Sequence, residues 1–171
     1  MSHLISIPSA RLGAKRRACG LLLAATISCP AMAAFTELVT VPAGLVCSFE
    51  LKVEGDGSGV RVERSPTNGR YLAISAGTGQ DLRLTNISTN ASLSLQGRGA
   101  VQKTKQPLPN GYMLMKLTGS NILFMFPTDM PAGPSTTLYV GQLNYSVDAL
   151  GNFTVLSSSG RQTDLCAALA S

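Results

Sequence analysis

Polar and apolar residues alternate along much of this chain, and a period of two is the mark of a half-buried β-strand. The cleanest run spans residues 46–54, where Cys47, Phe49, Leu51 and Val53 share one side and Ser48, Glu50, Lys52 and Glu54 the other. Gly55-Asp56-Gly57-Ser58-Gly59 then predicts a hairpin turn, and Val60 to Glu63 alternates again. A second turn is expected at Ser65-Pro66-Thr67-Asn68-Gly69, followed by short strands over 71–75, 81–87 and 92–96. Asn110-Gly111 lies between 100–106 and 112–118 with the spacing of a tight hairpin. Runs at 122–126, 137–146 and 153–157 complete the set, with a further hairpin turn at Asp148–Gly151. Helical periodicity is confined to the tail, Asp164 to Ala170. About nine or ten short strands at this turn spacing predict an all-β fold, an antiparallel β-sandwich in which each strand buries one face.

Residues 112–126 break the alternation. Tyr112, Met113, Leu114, Met115 and Leu117, then Ile122, Leu123, Phe124, Met125 and Phe126, are apolar on both sides, interrupted by Lys116 and the Thr118–Asn121 corner. A strand pair of this kind is either central and covered on both faces, or it offers one face to a partner. On the second reading Tyr112, Leu114, Lys116, Ile122, Phe124 and Phe126 form the candidate binding surface, with the proline-rich 127–136 loop beside it.

The N-terminus carries a different pattern. Arg11, Lys15, Arg16 and Arg17 precede an apolar run from Ala18 to Ile27, and Ala31-Met32-Ala33 supplies the small-x-small site that signal peptidase accepts. The run is about half of the roughly 20 residues needed to span a bilayer, so no transmembrane segment is expected. Residues 1–33 therefore read as a signal peptide, and 34–171 as a single secreted domain, extracellular once released. An alternative is lipid anchoring at Cys29, although Thr26-Ile27-Ser28 lacks the usual upstream leucine.

Removing the leader changes the electrostatics. Four of the 14 basic residues go with it and none of the nine acidic ones, leaving ten against nine and a net charge of +1. The basic pI of the whole chain is thus no argument for a nucleic-acid partner. Arg61, Arg64, Arg70, Arg83, Arg98, Lys103, Lys105 and Lys116 are spread through the strand region, as ordinary solvated positions or, gathered on one face, as a contact for anionic envelope polymers. Two cysteines remain, Cys47 and Cys166, one near each end. In an oxidising compartment they are expected to pair; free or metal-binding thiols are the alternative.

The one histidine, His3, lies in the leader, which removes Ser-His-Asp, Cys-His and imidazole-zinc chemistry from the secreted part. A pair of carboxylates drawn from nine Asp and Glu residues could still serve a glycosidase-like hydrolase, but most of them occupy polar strand or turn positions. The Glu54–Gly59 stretch suggests calcium yet lacks the acid that an EF-hand places at its twelfth position. Asn86, Asn90 and Asn152 begin N-glycosylation sequons.

Taken in order, Leu84-Thr85-Asn86-Ile87-Ser88-Thr89 with Ser92-Leu93-Ser94-Leu95, then Asn121-Ile122-Leu123-Phe124, Val147-Asp148-Ala149-Leu150-Gly151-Asn152-Phe153-Thr154 and Thr163-Asp164-Leu165-Cys166-Ala167-Ala168-Leu169 resemble a family of small secreted actinobacterial proteins. The resemblance implies export, a β-sandwich and a disulfide joining the ends, and it carries no activity or catalytic residue across. The expected function is a non-enzymatic binding or structural module without cofactor. Its partner would be a cell-envelope component, a protein or a second copy of the chain. A carrier holding an apolar ligand between the sheets, in a cavity lined by Tyr112, Leu114, Ile122, Phe124 and Phe126, is the alternative; a carboxylate-based hydrolase is the third reading.

Overall fold

The computed structural model describes residues 34–66, 70–105 and 107–170. The leader with Cys29, and residues 67–69 of the second turn, lie outside the described residues. The alternating pattern forms ten strands in two antiparallel sheets. The smaller sheet runs β1 (Thr36–Val41), β2 (Leu51–Gly55), β5 (Leu82–Asn86), β6 (Ser92–Leu95). The larger runs β10 (Phe153–Asp164), β9 (Ser135–Val147), β8 (Met113–Met125), β7 (Gly99–Thr104), β4 (Ala73–Thr78), β3 (Val60–Arg64). A short helix, α1 (Leu165–Ala170), closes the chain, with Asp164 Oδ1 accepting from Ala167 N at 2.9 Å as its N-cap. The all-β sandwich expectation holds.

The glycine-rich 55–59 segment is a crossover between sheets, where the sequence suggested a hairpin, because β2 and β3 belong to different sheets. Residues 79–81 and 96–98 make the same crossing, and the three connections pack together. A Cβ on Gly97 would overlap the carbonyl of Gly79, so glycine is what allows the backbones to touch. Carboxylates tie the bundle: Asp56 Oδ1 accepts from Ser58 N and from Asp81 N, each at 3.0 Å, and Asp81 Oδ1 accepts from Gly97 N at 2.7 Å. The Ser58 hydrogen bonds hold the Asp56 carboxyl below its usual range.

The doubly apolar stretch 112–126 is a single 13-residue strand and its flanks, in place of the two strands the sequence suggested. Its corner is a crease. Gly77, Ala100, Gly119, Gly141 and Gly160 are paired in an unbroken row across β4, β7, β8, β9 and β10, and the last three have φ of +96°, +147° and +94°. Along this row the larger sheet folds back on itself. Met125 pairs with Ser135 at one end of the β8–β9 ribbon and Val147 with Phe153 at the other. Twelve residues of straight strand would separate those ends by about 40 Å. Yet Met130 N donates to Phe153 O at 2.8 Å and Val155 N to Met130 O at 2.7 Å.

The folded ribbon borders two cores. Leu117, Leu123, Met125, Leu143 and Tyr145 pack inside the fold of the larger sheet, with Tyr145 and Phe153 edge-to-face at 5.4 Å between centroids. Ile122, Phe124 and Leu138 point the other way, onto Leu51, Val53, Leu84, Leu165 and Leu169. Both sides of β8 are apolar because each side faces a different core, and no residue of β8 is fully exposed. Cys47 and Cys166 form a disulfide across 119 positions of sequence, fastening α1 beside the start of β2.

On the outer face of the smaller sheet, Arg83 donates to both oxygens of Glu54, at 2.8 and 3.0 Å, and Lys52 Nζ lies 3.0 Å away. The Arg83 hydrogen bonds, above all, lower the Glu54 carboxyl from an ordinary 4.5 to about 2. A carboxyl depressed in the folded state contributes stability that is present above its unfolded pKa and is lost as pH falls toward the folded one. Glu54→Gln is therefore expected to flatten the dependence of Tm on pH between about 4.5 and about 2. Parallel Tm profiles for the variant and the parent across that window would refute it.

Candidate cleft between the sheets

The two sheets do not close over their whole area. An open cleft of about 820 Å³ lies between them, within the range of small-molecule and peptide sites. Its walls follow from three local features. β1 carries a bulge between Glu37 and Val39, and Leu38 and Val39, 51% and 47% exposed, line the cleft. The crossovers supply Gln80, Gln96 and Arg98 at one end. The third wall is β8, and there the contacts run through consecutive residues, Ser120 to Phe124.

A cavity over a sheet face meets every second residue, so consecutive contacts mean that the cleft meets β8 edge-on. The reason is in the register. β7 pairs with β8 only as far as Ala100 opposite Gly119, whereas β9 continues to Met125 opposite Ser135. Beyond the crease β8 has a neighbour on one side only. The lining is largely apolar and, among the described residues, contains the single charged side chain Arg98 and no carboxylate.

The six sequence-derived surface residues divide at the crease. Ile122, Phe124 and Phe126 line the cleft. Tyr112, Leu114 and Lys116 lie on the other side of Gly119, half-buried and away from it, so the cavity expected to include Tyr112 and Leu114 does not. The crease turns one continuous strand through an angle that alternation alone does not reveal. Leu38 and Val39 escaped the sequence reading, and Arg98 was one of eight scattered cations with nothing to single it out. The Glu37–Val41 run was the available signal, but it is too short to stand out beside the leader.

No family model matches the chain, and no curated protein or solved structure is significantly similar to it.

Several residues that looked chemical are structural. Asp129, in the proline-rich loop, is 2% exposed; its Oδ2 accepts from Phe126 N at 2.6 Å and its Oδ1 from Phe153 N at 2.7 Å, which latches the folded larger sheet. Asn86 is buried, donating from Nδ2 to Leu169 O at 3.1 Å and accepting from Ser88 N at 3.0 Å, so its sequon nitrogen is committed to holding α1. The Asn152 amide donates to Asp148 Oδ2 at 2.9 Å, while Asn90 is exposed in a left-handed turn with φ of +59°. Arg61 pairs with Glu63 at 2.9 Å and Lys103 lies 5.5 Å from the Tyr71 ring centroid, so these two cations have local partners. Among the described residues no three potential metal ligands converge, and no helix is long and apolar enough to cross a membrane.

Proposed function

We propose that this chain is an exported, non-enzymatic binding module, akin to the secreted actinobacterial proteins it resembles, whose working site is the cleft between the sheets. The observation that carries the reading is the uncovered apolar wall of β1 facing an apolar cavity that the fold leaves unfilled. Apolar surface of this kind gains on the order of 25 cal/mol per Å² when a ligand removes it from water. A lining with no carboxylate among the described residues offers a bound molecule enclosure and little acid-base chemistry. The inter-sheet location matches the apolar-carrier reading, and the half-buried Tyr112, Leu114 and Lys116 become scaffold in it.

The test uses the environment-sensitive naphthalene sulfonate dye ANS on the exported protein. Saturable fluorescence enhancement is expected, and Val39→Asp should weaken it at least ten-fold, because Val39 is on the rim and its exposure lets the variant fold. Failure of the dye to saturate, or equal binding by a folded Val39→Asp protein, would sink the reading.

A further inference from the structure

Resting on that reading, we propose that the cleft receives the C-terminal strand of a partner polypeptide, added antiparallel to the free edge of β8 with its carboxylate at Arg98. The argument begins with backbone valence. Leu114 O accepts from Lys105 N at 2.9 Å on the side toward β7. Backbone groups along a strand point alternately to its two neighbours, and the β8–β9 register is unshifted from Met113 to Met125. By that alternation Ser120, Ile122 and Phe124 face the side of β7; the register puts Gly99 O, at the start of β7, opposite the Ser120 N–H, and the N–H and C=O groups of Ile122 and Phe124 lie beyond the end of β7. An alkyl chain in the cleft would cover these groups without bonding them, whereas an extended peptide satisfies them while its side chains meet the apolar walls.

Direction follows from topology. β7 runs antiparallel to β8 and begins at Gly99, so a strand placed antiparallel beside residues 120–125 ends, at its C-terminus, against the β6–β7 crossover. Arg98 is in that crossover, and among the described residues it is the one charged side chain of the lining and makes no ion pair. Gly97, held by Asp81, and Gly79, whose N–H donates to Arg98 O at 3.2 Å, fix the backbone that carries it. A guanidinium there complements a terminal carboxylate in charge and in two-pronged geometry. The walls on both faces of the edge, Ile122 and Phe124 on one and Leu123 on the other, ask for apolar residues along the incoming strand.

The probe is an acetylated heptapeptide of alternating valine and threonine with a free C-terminus, compared with its C-terminal amide and with a version N-methylated at alternate residues. Binding is followed by calorimetry, and amide hydrogen exchange is read residue by residue. The free acid is expected to bind, to slow exchange at Ile122 and Phe124 at least ten-fold, and to bind five- to ten-fold better than the amide. Arg98→Gln should erase that last difference, and N-methylation should abolish binding. The proposal is overturned if the peptide does not bind, if protection falls on other strands, or if the N-methylated form binds equally. Any of these with ANS still saturating and sensitive to Val39→Asp leaves the cleft as an apolar site and removes only the strand; loss of both removes the cleft reading as well.

Discussion

Replacing Gly119 with alanine should cost about 3 kcal/mol or more and bring the domain close to its unfolding threshold. Two effects add. The φ of +96° is unfavourable for any residue with a Cβ, by roughly 1–2 kcal/mol. The new Cβ would also overlap the carbonyl oxygen of Gly99, a backbone atom at the β7–β8 pairing that has no side-chain freedom with which to yield. Gly111→Ala separates the two effects, since Gly111 has φ of +81° but open space around its Cβ position. It should lose only about 1 kcal/mol. Urea midpoints of the two variants decide the matter: equal losses would mean that the crease tolerates a side chain, and the folded sheet would need another explanation.

Removing both cysteines, as Cys47→Ser with Cys166→Ser, should destabilise the domain by about 4–5 kcal/mol. The bridge joins positions 119 apart, and the loss of loop-closure entropy in the unfolded chain scales with the logarithm of that length. For a domain of this size the corresponding fall in Tm is on the order of 10–20 °C. Leu165 and Leu169, each 1% exposed, are docked by the helix that the bridge secures, so the loss includes part of the smaller sheet's core. The reduced parent protein should melt with the double variant. An unchanged Tm in the variant would show that α1 is held by packing and by Asn86 alone.

Strand existence was legible because period-two alternation is a local consequence of burying one face; it marked nine of the ten strands, though in the cleanest run, 46–54, the strand begins only at Leu51, and β10 runs to Asp164, seven residues past its expected end. The disulfide was legible from cysteine arithmetic. Partner choice was not. Gly55–Gly59 has hairpin composition, but glycine also serves where backbones of different connections touch, and composition does not distinguish the two uses. The Thr118–Asn121 corner marked a bend without showing that the strand continues through it, because a crease needs glycines aligned on neighbouring strands and that alignment is set by register. The same limit hid the cleft: Ile122, Phe124 and Phe126 were recognisable as apolar, while the missing neighbour that exposes their strand edge depends on where β7 stops. Asp129 looked like a solvent-facing loop acid because nothing in the local sequence records the two amides, one of them 24 positions away, that it accepts from.

One ribbon, β8 with β9, serves as the party wall of two rooms. Leu123 and Phe124 are adjacent in sequence and look into opposite ones. Neither room can be vacated while the wall stands, and the wall has no reason to stand with one room empty. Two separate cores therefore make a single melting unit, in which a tenant in the open cleft would steady the latched side as well.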